Sequence, residues 1–158
     1  KRIIKEEQKD CCAPSSSPPE ITAATCSRGW TIRDMWCYLA MPGQTTFDDA
    51  SNLCGGFGAK LAWITSKEEQ LFVNELTLKR GAYRYWIGLN KVNGTWRLSN
   101  GDIPTFTNWR ITQPDLCCGL NVTCVLVNYI DLSGLWDDAG CNYIWTQPQG
   151  YVCKIRAS

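Results

Sequence analysis

The sequence predicts an α+β domain braced by disulfides, and two observations carry that expectation. Both helical patterns lie early in the chain and most strand patterns lie late, with no βαβ alternation. The 158 residues include ten cysteines, an even number and a high fraction, without the paired CxxC spacing of zinc sites. Such a set reads as disulfides formed in an oxidising compartment, so the protein is expected to be secreted. At this length one domain is comfortable and two are not.

Charge and composition remove several functions. Sixteen basic and fifteen acidic residues leave a net charge of +1 and no basic stripe, which argues against a nucleic-acid partner. No apolar run is long enough to cross a bilayer. No apolar leader opens the chain, which is expected to be a mature one with its targeting peptide removed. There is no histidine, so the usual general base and zinc ligand are missing and no enzyme is expected.

Residues 1–25 read as a tail. Lys1 to Asp10 is mostly charged, and Cys11-Cys12 leads into a Pro/Ser run that reads as an extended linker. Residues 26–155 are expected to form the domain, burying roughly two-thirds of the unfolded chain's surface. Residues 26–32 and 36–39 predict two short strands turning at Arg33-Asp34, and Cys26 and Cys37 are placed to close that hairpin. Thr46 is the expected N-cap of a first helix, with Asp49 at its third position. Phe47, Ala50, Leu53 and Cys54 share one face of it, and Gly55-Gly56 ends it. Residues 60–64 predict a short apolar strand. Ser66 to Glu69 is a capping box opening a second helix that carries Leu71, Phe72, Leu76 and Leu78 and ends at Gly81. Lys79 and Arg80 suit that helix's C-terminal dipole.

Residues 86–89 and 96–98 predict strands about an Asn93-Gly94 turn, followed by a turn at Asn100-Gly101. Residues 102–121 show few regular signals. Loops this long are functional or disordered, and the Trp, Pro and Cys content here predicts an ordered one. Strands follow at 124–129, 134–137 and 151–154.

Inside the long loop lies Gln113-Pro114-Asp115. An X-Pro bond is the one peptide that can be cis without a large penalty. A cis bond there turns both flanking side chains to one side and presents an amide beside a carboxylate. Trp136-Asp137-Asp138 adds two carboxylates. Such oxygens hold a calcium ion or bind sugar hydroxyls directly, although the tripeptide alone is also an ordinary turn. Asn93 and Asn121 head Asn-X-Thr sequons and are candidate glycosylation sites.

These segments, in this order, resemble the C-type lectin-like domain. The matching residues are Gly29-Trp30, Cys37-Tyr38, Ala50 with Cys54, Leu61-Ala62-Trp63-Ile64, Glu68-Glu69-Gln70, Trp86-Ile87-Gly88-Leu89, Asn108-Trp109, Gln113-Pro114-Asp115, Cys124, Gly134-Leu135-Trp136, Cys141 and Tyr151-Val152-Cys153. The resemblance runs from Cys26 to Lys154. It implies two helices with two small antiparallel sheets and a long loop region, and disulfides Cys54–Cys153, Cys124–Cys141 and Cys26–Cys37. Each such bridge stabilises by about 2–4 kcal/mol. Cys11, Cys12, Cys117 and Cys118 remain, allowing three intrachain pairings. They are candidates for a tail-to-loop bond, a bond between neighbours, or an interchain bond. An interchain bond through Cys11 or Cys12, giving a covalent dimer, is the favoured expectation.

In sugar-binding members of that family, the tripeptide and the Trp-Asn-Asp-like group hold a calcium ion whose coordination two sugar hydroxyls complete. The order Gln-Pro-Asp is the one associated with galactose and N-acetylgalactosamine. The resemblance thus implies Gln113, Asp115, Asp137 and Asp138 as calcium and sugar ligands. Three departures bear on this. Val122 stands where the family has a further carboxylate, and calcium takes about six to eight oxygens. Only Asp102 is offered for an auxiliary ion. Leu116-Cys117 stands where galactose binders stack an aromatic ring, a place that Tyr143 or Trp145 would have to fill. Two lectin versions stay open: one with calcium, and one that binds sugar directly through Gln113, Asp115, Asp137 and Arg110, with Arg110 paired to a carboxylate. A domain that binds a protein partner and no sugar is the alternative class, since this fold is widely reused.

Overall fold

The computed structural model describes residues 16–119, 121–143 and 149–158. Cys11, Cys12 and Trp145 lie outside them. Among the described residues no helix is long and apolar enough to cross a membrane.

β1 (Thr31–Arg33) and β2 (Trp36–Met41) make the expected hairpin, turned by Asp34 at a φ of 54° and tied to Cys26 through Cys37. α1 (Phe47–Gly56) starts where Thr46 Oγ1 accepts from the Asp49 amide at 3.1 Å. The helix runs through Gly55 and Gly56, which were expected to end it, and stops at Phe57. Neither glycine takes a positive φ, and the left-handed residue is Gly58, at a φ of 71°. Leu53, expected on the buried face, is exposed; Phe47, Ala50 and Cys54 alone turn inward.

β3 (Lys60–Leu61) is short. Beyond it Ala62 still bonds across, its amide to Val152 and its carbonyl to Gly88. α2 (Lys67–Lys79) starts at Ser66, whose Oγ accepts from the Glu69 amide at 3.1 Å. Its buried face is largely polar. Leu71 is exposed, while Glu69, Gln70, Val73, Asn74, Leu76 and Thr77 are buried. The polar ones are satisfied by partners distant in sequence. Gln70 Oε1 accepts from Trp136 Nε1 at 2.6 Å, and Gln70 Nε2 donates to Tyr85 Oη at 3.0 Å. Asn128 Nδ2 donates to Asn74 Oδ1 at 2.8 Å. Buried polar groups are tolerated only when bonded in this way.

β4 (Tyr85–Val92) and β5 (Thr95–Leu98) turn at Asn93-Gly94, both at positive φ, as a tight hairpin requires. β6 (Val122–Val127), β7 (Trp136–Gly140) and β8 (Gly150–Arg156) complete the sheet. The strand order is β1-β2-β8-β4-β6-β7, with β3 on β8 and β5 on β4. The antiparallel ladders are joined by parallel pairing of β4 with β8, so they form one eight-stranded sheet. Gly88 allows this packing: a Cβ there would lie 2.2 Å from the Leu61 carbonyl oxygen. Cys54–Cys153 ties α1 to β8, and Cys124–Cys141 ties β6 to the segment after β7.

Before the hairpin, residues 16–24 form no regular element, and Thr25 pairs with Ser158 through reciprocal backbone bonds. The core falls in two clusters, one centred on Ile64, Val73, Tyr85 and Trp136, the other on Ala50, Trp86 and Leu126.

Candidate functional site

The long loop is anchored to β7 by aromatic packing and backbone bonds. Trp109 lies against Trp96 and Trp136, with ring centroids 5.1 and 5.8 Å apart. The Arg110 amide donates to the Trp136 carbonyl at 2.9 Å, and the Trp136 amide donates to Asn108 at 2.9 Å. This lacing delivers Arg110 beside Asp137, the first residue after Trp136.

From there the chain turns tightly. The Gln113 amide donates to the Arg110 carbonyl at 2.9 Å, and the Gln113–Pro114 bond is cis. Gln113 Nε2 donates to Asp115 Oδ2 at 2.9 Å, and the Cys117 amide donates to Asp115 Oδ1 at 2.9 Å. The Cys117 amide, then the Gln113 amide, hold the Asp115 carboxyl below the usual carboxylate range. Each Asp115 oxygen keeps a lone pair for a further donor. Among the described residues no donor reaches Gln113 Oε1, and no acceptor takes Arg110 Nη1.

The two aspartates of β7 are committed inward. Asp137 binds the Arg110 guanidinium through Nε, at 3.0 and 3.2 Å, and through Nη2. That hydrogen bonding raises the Arg110 pKa and keeps it charged. Asp138 accepts the backbone amides of Asp115 at 3.1 Å and Leu116 at 2.9 Å, one on each oxygen. The four residues expected as ligands therefore lie together, with Arg110 among them.

This donor set does not fit a calcium ion. Calcium needs six to eight oxygens, most of them anionic or carbonyl. One carboxylate is neutralised by a guanidinium, another is wrapped on two amides, and Val122 supplies no oxygen from its side chain. Among the described residues no group of three or more Asp, Glu, His or Cys could hold a metal ion.

Gln113 and Asp115 stand at a cavity of about 430 Å³. Leu126, Val122 and Ala139 give it an apolar side, and Arg110, Asp137 and Asp138 a polar one. Tyr129, Asn121 and Tyr143 also border it, as does a bond between Cys117 and Cys118. That bond is the neighbour pairing among the open alternatives, and it leaves these two cysteines no interchain role. Leu116, Cys118 and Gly119 all take positive φ, and the turn they make brings the neighbours together. Tyr129 and the floor residues were not expected at the site, because strand positions of that kind read as core. Asn121 is exposed at the cavity's edge, whereas Asn93 lies in the β4–β5 turn.

The model of the family described as Lectin C-type domain matches residues 43–155. The chain belongs to the C-type lectin domain family. It is 34% identical over 143 residues to Lectin BRA-3 of Megabalanus rosa, covering 85% of this chain and 83% of that one. It is 32% identical over 139 residues to C-type lectin domain family 4 member G of Mus musculus, covering 84% of this chain but 44% of the mouse protein. Among solved structures, a calcium-independent type II antifreeze protein superposes with a TM-score of 0.73 at 28% identity, over 87% of this chain and 99% of that one. The cow carbohydrate-recognition domain of CD23, solved in the presence of a GlcNAc2Man3 oligosaccharide, gives 0.74 at 26% identity, over 86% and 99%. The lectin domain thus has relatives that bear the name lectin and a structural neighbour described as calcium-independent.

Proposed function

We propose that this chain is a secreted lectin that binds galactose-type sugars, galactose or N-acetylgalactosamine, at the 110–118 loop without calcium. The observation that carries the reading is the Gln113–Asp115 pair, bonded side by side at the cavity mouth with lone pairs to spare. Vicinal hydroxyls donate to Asp115 and Gln113 Oε1 and accept from Arg110 Nη1. Charge-assisted bonds of this kind contribute about 1.5–3 kcal/mol each, enough for weak single-site recognition. Avidity would then come from a covalent dimer through Cys11 or Cys12. By analogy, the biological role is recognition of microbial glycans.

A second reading, docking of a protein partner, is favoured by one observation. Ile111 is 86% exposed and Leu116 58% exposed, on either side of the Gln113-Pro114-Asp115 turn.

A glycan array probed with and without a chelator separates these readings. Sugar binding that survives chelation is expected. Binding lost on chelation would refute calcium independence, and no binding in either buffer would reject the lectin and leave the protein partner. Asp115→Ala is expected to abolish recognition with the thermal midpoint unchanged; unaltered binding would place the site elsewhere.

A further inference from the structure

Asn121 heads the sequon Asn121-Val122-Thr123, and the fold brings it to the cavity onto which Gln113 and Asp115 open. It directly precedes β6, is exposed, and borders that cavity along with Asp137 and Asp138. Its backbone is held in place. The Asn121 carbonyl accepts from the Thr123 amide at 2.9 Å and from the Cys141 amide at 3.4 Å. Its side chain is not engaged. Asn74, Asn100, Asn108 and Asn128 each donate a side-chain hydrogen bond within the protein. Among the described residues the Asn121 side-chain amide donates to none.

An exposed, unbonded amide in an Asn-X-Thr triplet is an acceptor for an N-linked oligosaccharide in a secreted chain. The root of that oligosaccharide is then on a residue bordering a cavity of about 430 Å³, near the small end of the range for small-molecule sites. An N-linked glycan is bulky. Its root cannot swing away from the cavity, because the Thr123 and Cys141 amides fix the Asn121 backbone. The other sequon differs. Asn93 lies in the β4–β5 turn and does not border the cavity.

We infer that Asn121 carries an N-linked oligosaccharide that stands over the cavity and competes with incoming sugars for Gln113 and Asp115. The donor is a lipid pyrophosphate-linked oligosaccharide. Asn121 Nδ2 forms a bond to its anomeric carbon, the bond from that carbon to the pyrophosphate breaks, and the amide gives up one proton as the lipid pyrophosphate leaves. The inference rests on the sugar reading above and gives that site a cover. A glycan that leaves the mouth clear about a tenth of the time weakens apparent binding roughly tenfold.

The test uses the full chain secreted from eukaryotic cells. Peptide mass spectrometry reads occupancy at Asn121 and Asn93, and titration measures binding of methyl β-galactoside and its N-acetylgalactosamine counterpart. The chains compared are wild type, Asn121→Gln, Thr123→Ala, Thr123→Ser and Asn93→Gln, with circular dichroism to confirm folding. Thr123→Ala removes the sequon and keeps Asn121, whereas Thr123→Ser keeps both. Asn121 is expected to be occupied in wild type. Asn121→Gln and Thr123→Ala should bind roughly tenfold more tightly than glycosylated wild type, and Thr123→Ser and Asn93→Gln should match it. An unmodified Asn121 in the secreted wild type overturns the inference. So does a glycosylated wild type that binds as tightly as Asn121→Gln and Thr123→Ala. Failure of the uncovered Asn121→Gln and Thr123→Ala chains to bind either sugar refutes the galactose reading itself, and the inference goes with it.

Discussion

Glu69→Gln tests the reasoning about the interior most sharply. Glu69 and Lys154 are paired with side chains only 4% and 3% exposed. Lys154 Nζ also donates to the Trp63 carbonyl at 3.1 Å and lies 4.4, 4.9 and 5.5 Å from the ring centroids of Trp63, Trp36 and Tyr38. Glu69 accepts from Tyr38 Oη at 2.6 Å and from the Thr65 amide and hydroxyl at 2.9 and 3.0 Å. Glutamine keeps one acceptor and brings an NH2 that must face either Lys154 and Tyr38 or the Thr65 amide. Either way a buried donor meets a donor. Removing one partner of a buried pair costs about 3–5 kcal/mol, so the midpoint of thermal unfolding should fall by roughly 6–20 °C for a chain of this size. The pair also sets an acid limit. Burial alone pushes the Glu69 carboxyl up, but the bonds from Lys154, Tyr38 and Thr65 bring it below its ordinary 4.5. A lowered folded value means stability that is complete above 4.5 and lost as the pH falls through the folded value. Wild type should therefore weaken from about pH 5 downward, and Glu69→Gln should lack that component. The assay is urea unfolding with disulfides intact at neutral and acid pH. A Glu69→Gln loss under about 1 kcal/mol, or an acid slope equal to wild type, would refute the account.

Other outcomes follow from single contacts. Gly88→Ala puts a Cβ 2.2 Å from the Leu61 carbonyl and 2.5 Å from Ser99 Oγ, and should cost about 3 kcal/mol or more by urea unfolding. Gly55→Ala, in open space within α1, should instead stabilise by about 0.4–1 kcal/mol. Arg110→Gln with Val122→Glu releases Asp137 and adds a carboxylate to the same cavity; isothermal titration should then show calcium binding that wild type lacks.

What was legible in the sequence was local chemistry. Thr46 and Ser66 each cap a helix by accepting from the amide three residues ahead, and both caps are present. The α1 and α2 faces were read less well. Leu53, read onto the inner face of α1, is about half exposed, and Leu71 of α2 is as well. Glu69, Gln70 and Asn74 go inside because Lys154, Trp136 and Asn128 reach them across 85, 66 and 54 residues. No window of local sequence carries that. The candidate site divides the same way. The Gln-Pro-Asp and Trp-Asp-Asp groups could be named, and so could an arginine able to pair with a carboxylate. The commitment of Asp138 to two backbone amides could not, because it depends on the path of a loop with few regular signals. The Cys117–Cys118 bond depends on the same path.

The protein itself supplies what holds this loop. Trp109 pins one end against Trp96 and Trp136. Asp138 gathers the amides of Asp115 and Leu116, and the Arg110–Asp137 pair neutralises the remaining buried carboxylate. A loop organised by an ion loses its order when the ion leaves, and its ligand affinity tracks the ion. Here each constraint is a covalent neighbour, a ring contact or a hydrogen bond within the chain. On the proposed reading, a surface preorganised in this way would not depend on an ion to assemble it. It follows that a chelator should leave both the fold and the geometry of Gln113 and Asp115 as they are.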